Sequence, residues 1–254
     1  MCLILVVWRV HPRYPCVVAA NRDEYHSRPA APAAWWSDRP NILAGRDLLA
    51  QGTWLGINRS GRFAALTNYR DATRPWRTDA PSRGDLVAGL LGSGGSVADG
   101  LEHLRLTGPR YNGFNVIFSD GERLGIYETQ SGTGRELGPG IYGLSNDLLD
   151  TPWPKVRNAK SRLESAIRDM PDTAPLLALL RDDRPAPDPE LPRTGVSLEW
   201  ERLLSSAFVR AREYGTRCST IIRIDDQGRA YFDEWSWNSE GTDAGRISLQ
   251  FELE

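Results

Sequence analysis

The chain opens on two short apolar runs, Leu3-Ile4-Leu5-Val6-Val7-Trp8 and Cys16-Val17-Val18-Ala19-Ala20, divided by the turn His11-Pro12-Arg13-Tyr14-Pro15. Runs this short, rich in β-branched residues and bounded by prolines, predict the strands of a buried hairpin. The second run ends on a polar cluster, Asn21-Arg22-Asp23-Glu24. Strands of similar length would return that cluster to the start of the first strand, beside Cys2. Residues 26–41 carry Pro29, Pro32 and Pro40, which exclude a regular helix, so an ordered loop is expected there. The adjacent Trp35 and Trp36 could line a pocket wall, although pinning the loop to the body is the expected role.

Further along, β patterns at 42–47, 52–58 and 63–69 surround the turn Arg59-Ser60-Gly61-Arg62, a hairpin signal. Helical spacing follows at 86–91 and 97–106, separated by a Gly/Ser-rich break. Strands are predicted at 111–118 and 123–128 around the Asp120-Gly121 turn, and a further strand ends on Asn146. Helices are expected at 155–168, 174–180 and 198–208, with a proline-rich exposed loop at 184–192. The tail returns to β character at 215–224, 230–235 and 247–253. Strands at both ends with two helical insertions predict an α+β fold of sheets stacked between helical layers, as one domain over residues 1–254. Trp235-Ser236-Trp237 is read as covering a sheet, with a partner-binding edge as the alternative.

Charge narrows the choice of partner. With 31 Lys+Arg against 33 Asp+Glu the net charge is −2, which argues against nucleic acid, whose binders present a basic face. Three widely and unequally spaced cysteines suggest neither a disulfide framework nor a zinc site, and no metal is expected. Leu3–Trp8 is too short for a membrane span and lacks the basic start of a signal peptide. A soluble, cytoplasmic protein is therefore expected.

Candidate chemistry concentrates at Cys2. If Met1 is removed, one residue carries both a thiol and a free α-amine. Free Cys has a pKa near 8.5 and an α-amine about 7.7–8.0, so the amine can accept the thiol proton near neutrality. Arg22 would favour thiolate, and Asp23 would hydrogen-bond the amine. The plainer reading makes Cys2 a small apolar residue at the start of a strand and Arg22–Asp23 a structural ion pair. Asn68 closes a strand, where its amide could serve an oxyanion or simply form a turn. His26, in the following loop, is a weak candidate base.

Seven motifs taken together carry a resemblance. They are Cys2, Ala20-Asn21-Arg22-Asp23-Glu24, Trp54-Leu55-Gly56, Leu66-Thr67-Asn68-Tyr69, Tyr111-Asn112-Gly113-Phe114-Asn115, Gly143-Leu144-Ser145-Asn146 with Thr151-Pro152-Trp153, and Gly215-Thr216-Arg217. In this order they resemble the NRDE family of transport and Golgi organisation proteins over essentially the whole chain. Members of that family have been linked to haem mobilisation and to acyl-CoA or lipid handling.

The same landmarks more distantly resemble choloylglycine hydrolases and penicillin V acylases, N-terminal-nucleophile hydrolases with an αββα fold. That resemblance implies Cys2 as nucleophile and, through its amine, as base. It implies Asp23 holding the amine, Arg22 tuning the thiol, Asn68 and Asn146 as oxyanion or substrate donors, and Arg217 completing the polar cluster. Asn21 competes with its neighbours for a place there, and Trp54, Tyr69 and His26 join it as candidate substrate contacts. Hydrolysis of an amide or thioester in a small acyl substrate would then need no cofactor. The alternative is a non-catalytic pocket for haem, acyl-CoA or lipid, with Cys2 or His26 as an axial haem ligand.

Overall fold

The computed structural model describes residues 2–73 and 75–254. Two antiparallel sheets lie face to face between helical layers. One has six strands: β1 (Leu3–Trp8), β2 (Cys16–Tyr25), β10 (Gly140–Leu144), β11 (Tyr214–Ile224), β12 (Arg229–Trp237) and β13 (Asp243–Glu252), in the order β10-β1-β2-β11-β12-β13. The other has seven: β3 (Ala30–Trp35), β4 (Ile42–Asp47), β5 (Leu55–Asn58), β6 (Phe63–Asn68), β7 (Phe114–Ser119), β8 (Leu124–Glu128) and β9 (Thr133–Leu137), in chain order. Helices α1 (Gly84–Gly92) and α2 (Val97–Thr107) cover the second sheet, while α3 (Pro154–Ala166) and α4 (Ala174–Leu180) cover the first. This is the four-layer αββα arrangement expected of the sequence, with α5 (Leu198–Leu203) added near the edge. Among the described residues no helix is long and apolar enough to cross a membrane.

Strand alternation divides the core. On β1 the even positions Ile4, Val6 and Trp8 face the space between the sheets with Val18, Ala20, Ile57, Phe63 and Phe232. The odd positions Leu3, Leu5 and Val7 face α3 and α4, against Leu163, Leu176 and Leu179. Both faces of β1 and of the first half of β2 are therefore dry, which explains why these strands read as continuous apolar runs rather than alternating ones. The outer face of the second sheet packs Ala64, Leu66, Val116 and Phe118 on Val87, Leu91, Val97 and Leu104. Each buried aliphatic or aromatic side chain contributes about 1.5–3 kcal/mol.

Three elements depart from expectation. The 26–41 stretch is not all loop, because Ala30–Trp35 pairs with β4 as an edge strand. Pro32 is accommodated at a register shift between Ala31 and Ala34, one of the places a sheet tolerates proline. Trp36 does pin the segment, being buried with Nε1 donating to the Ala44 carbonyl at 3.1 Å. The polar edge strand β9, exposed along most of its length, has no apolar signal to announce it. The helix expected over 198–208 stops at Leu203, since Ser205 and Ser206 turn their hydroxyls onto the Arg202 and Phe208 carbonyls.

Candidate active site

The hairpin register sets the site. Leu3 faces Asn21 across β1–β2, and Arg22 faces Cys218 across β2–β11. Alternation then puts Cys2, Arg22 and Cys218 on the inward face of the sheet, at the end of the hairpin away from its turn. A cleft of about 950 Å³ opens there, lined by Cys2, Arg22, Asp23, Asn68, Trp54, Arg83, Arg217, Cys218 and Glu234 among others. Five of the six expected catalytic residues, Cys2, Arg22, Asp23, Asn68 and Arg217, are among those that line it.

Cys2 is buried at 9% exposure, and its carbonyl accepts from the Ser145 hydroxyl at 2.9 Å. Burial pushes its thiol above the ordinary range, while the Arg22 guanidinium is among the groups that pull it back. Arg22 has an Nη2 atom 3.8 Å from Glu24 and 3.7 Å from Asp47. Its buried Nη1 has no hydrogen-bond partner among the described residues. Asp23 is buried, with Oδ1 accepting from the Thr216 hydroxyl at 2.7 Å and its carbonyl accepting from the Tyr214 hydroxyl at 3.0 Å. Burial raises its carboxyl pKa.

A bulge produces the third charged residue. Thr216 pairs with Asp23 and Cys218 with Arg22, leaving Arg217 as the extra residue. Bulges re-aim side chains, and Arg217 turns to the cleft rim. There Nη1 donates to the Tyr25 and Arg28 carbonyls at 2.9 and 3.0 Å, tying the 25–28 turn to the sheet. From the opposite sheet Asn68 enters the cleft at the end of β6, with its side-chain amide unbonded among the described residues.

Asn146 is placed differently from expectation. It is fully buried behind the cleft wall, where Nδ2 donates to the Asn68 carbonyl at 2.8 Å and Oδ1 accepts from Ser145 at 3.2 Å. One of its two amide N–H groups is thus spent on the Asn68 backbone, and the residue lies outside the cleft lining. Asn21 points to the helix side of the sheet, as its odd position requires. Its Nδ2 donates to the Leu180 and Ala207 carbonyls at 2.7 and 2.8 Å, and Oδ1 accepts from Ser219 at 2.6 Å. That is a structural role, as the dry, fully buried surroundings dictate. Tyr69 lies outside the cleft lining, with its backbone on the Gly113 carbonyl. His26 lies outside it too, its Nε2 3.2 Å from the Ala211 carbonyl. Trp54 does line the cleft, and Trp237 covers the sheet with Nε1 on the Ser219 hydroxyl. Met1, on whose removal a free Cys2 amine depends, lies outside the described residues.

Two charged residues were not anticipated. Glu234 is buried between the sheets, with Oε1 accepting from the Ala33 amide at 2.7 Å and Oε2 from the Thr220 hydroxyl at 3.2 Å. It joins β12 to β3 beneath the cleft, and burial raises its pKa. Lys155 is buried at 4% exposure with no hydrogen bond to Nζ among the described residues. Burial lowers its pKa to about 8, while the Asp23 carboxylate acts in the opposite sense. The signal for Lys155 lay in the sequence: it occupies the apolar 155-159-163 stripe of α3, and it is one of two lysines in the chain.

A family model described as Transport and Golgi organisation 2 matches residues 1–239. A Transport and Golgi organization protein 2 homolog from Bos taurus is 37% identical, the match covering 93% of each chain. The Homo sapiens homolog is 34% identical, again over 93% of each. The Drosophila melanogaster protein is 29% identical, over 92% of this chain and 91% of its own. Among solved structures, a Caenorhabditis elegans ortholog of N-acylethanolamine-hydrolyzing acid amidase aligns at 9% identity and TM-score 0.49, covering 87% of this chain and 92% of that one. A conjugated bile acid hydrolase from Clostridium perfringens aligns at 11% identity and TM-score 0.44, covering 100% and 97%.

Proposed function

The chain belongs to the Transport and Golgi organisation 2 family, and on that premise we propose that its cleft performs acyl transfer to Cys2, hydrolysing an amide or thioester. One observation carries this reading. A thiol, two arginines, an acidic residue and an asparagine whose side-chain amide is unbonded among the described residues line one cleft between the sheets. Charged groups are expensive to gather in such a place, and perturbed titratable groups in a cleft mark functional sites.

In the proposed mechanism Met1 is removed, so that the Cys2 amine takes the thiol proton and the thiolate attacks the substrate carbonyl carbon. The carbonyl electron pair moves to oxygen, and the Asn68 amide donates to that oxyanion. Collapse breaks the bond to the leaving amine or thiol, which takes the proton held by the Cys2 ammonium. Water, deprotonated by the same amine, then hydrolyses the acyl-thioester and regenerates the thiol. Arg22 stabilises the thiolate against the cost of burial, and Asp23 orients the amine. Asn146 holds the Asn68 backbone in place.

Turnover of an acyl thioester by the wild-type protein and by Cys2→Ala tests the reading. Loss of turnover in the variant supports it, and an unchanged rate rejects it. A second reading, a non-catalytic pocket for acyl-CoA, lipid or haem, is favoured by the raised Cys2 pKa, since a resting thiol is a poor nucleophile. Under that reading Cys2 is the haem ligand of choice, because His26 stands outside the cleft. Haemin titration separates the two: a Soret shift lost in Cys2→Ala, without any turnover, is its signature.

A further inference from the structure

Most arginines around the cleft have carboxylate partners. Arg28 meets Asp47 at 2.5 Å, Arg46 meets Asp38 at 2.5 Å, and Arg22 lies between Glu24 and Asp47. Arg83 does not. It lines the cleft half-buried, on the side contributed by the second sheet, and no carboxylate lies within salt-bridge distance among the described residues. Its one hydrogen bond runs from Nη1 to the Gly113 carbonyl at 3.0 Å, and its guanidinium stands 5.1 Å from the Trp76 ring centre. Burial lowers its pKa to about 10, opposed first by the Glu24 carboxylate from beyond salt-bridge distance and then by the Cys2 thiol. A guanidinium drawn out of water with no carboxylate in direct contact is costly, and an anionic ligand would offset that cost.

The backbone that carries Arg83 is held firmly. The Thr53 amide donates to the Gly84 carbonyl at 3.3 Å, and a Cβ on Gly52 would stand 2.6 Å from the Gly84 carbonyl carbon. Only glycine at 52 lets the loop before α1 approach so closely. The cleft rim beside it is apolar and exposed: Leu49 at 68%, Trp76 at 66% and Tyr25 at 49%. Arg83 thus stands where an apolar wall meets the reacting thiol.

We propose that Arg83 is an anion-recognition residue, and that the cleft takes an amphiphile whose acyl chain lies along Leu49, Trp76 and Tyr25 while a carboxylate or phosphate close to the reacting carbonyl pairs with the Arg83 guanidinium. Nη1 is spent on Gly113, so the remaining N–H groups meet the oxyanion, the geometry in which arginine binds such groups well. This deepens the acyl-transfer reading and rests on it for the identity of the reacting carbonyl.

Titration of Trp fluorescence with decanoate, decyl phosphate and decanamide tests the subsite without requiring turnover. The wild-type protein binds at least one of the two anions at least about tenfold more tightly than the amide, and the tighter of them identifies the head group. In Arg83→Gln that ratio falls to about one, whereas Arg83→Lys retains part of it. Equal binding of anions and amide by the wild-type protein, or a ratio that survives in Arg83→Gln, overturns the proposal. Thermal melting of both variants reports whether they are folded. Hydrolysis of S-octanoyl-N-acetylcysteine and of its neutral N-acetylcysteamine analogue is read in parallel. Cleavage without anion preference rejects the subsite alone, and anion preference without cleavage rejects the acyl-transfer reading alone.

Discussion

Cys2 and Cys16 sit at opposite ends of one hairpin, both on its inward face, and they live in different chemistry. Around Cys16 the neighbours are Trp8, Val18, Ile224 and the rest of the apolar filling between the sheets. Its pKa is pushed up to about 12, and burial is the sole cause. Around Cys2 the same face carries Arg22, Cys218 and Glu234, and the space beyond is open cleft. Burial raises its pKa too, but there charged neighbours also act, the Asp23 carboxylate adding to the rise and Arg22 working against it. The fold makes both cysteines inward-facing by the same alternation, and only the polar cluster at the end of β2 separates a core thiol from a site thiol.

The sharpest way to break that contrast is to remove each sulfur in turn. Cys2→Ala should lower kcat/KM by at least about 10³-fold, as loss of a nucleophile does. Cys16→Ala should leave activity in place and cost on the order of 1–2 kcal/mol of stability by urea unfolding. A Cys16 variant that lost activity while keeping its fold would dissolve the distinction.

Next in size is the asparagine pair. Asn68→Ala should cost about 2.7–4 kcal/mol of transition-state stabilisation, roughly 10²–10³ in kcat, with little change in melting temperature. Asn146→Ala should cost less in kcat and more in stability, because it removes the side-chain donor to the part-buried Asn68 carbonyl. Single-turnover kinetics and thermal melts of the two variants decide which amide faces the ligand.

The smallest effect concerns Lys155. Its folded-state pKa of about 8 lies below the unfolded value of 10.5, so its charge opposes folding below pH 8 and this penalty is relieved as pH rises towards 10.5. Lys155→Met should therefore raise stability near pH 7 by on the order of 1–3 kcal/mol, with the gain fading above pH 10. Urea melts across pH 6–11 would show it. A gain independent of pH would mean that Lys155 is not a buried cation.

The hairpin, the hydrophobic strands and the αββα layering could be read directly, because apolar runs of strand length leave few alternatives. Cys2, Arg22 and Asp23 were legible as a polar cluster at one end of the hairpin and Asn68 as the end of a strand, whereas Arg217 entered only through the family resemblance. What the sequence could not show was which way each amide turns. Asn21 and Asn146 look like Asn68 in their motifs, yet strand parity and the packing of α4 send Asn21 to the other side, and Asn146 is consumed by a backbone carbonyl. Arg83 was hidden for a different reason. It sits just before the helical spacing at 86–91, and the absence of a carboxylate in direct contact with it among the described residues is visible only once both sheets are in place.

The most direct test of the account is peptide mapping by mass spectrometry after a short reaction with an octanoyl thioester, quenched in acid. The account predicts an added octanoyl mass on Cys2, on a peptide beginning at that residue, with none on Cys16 or Cys218. An acyl group found on either of those thiols, or a Cys2 that stays unmodified while substrate is consumed, would contradict it.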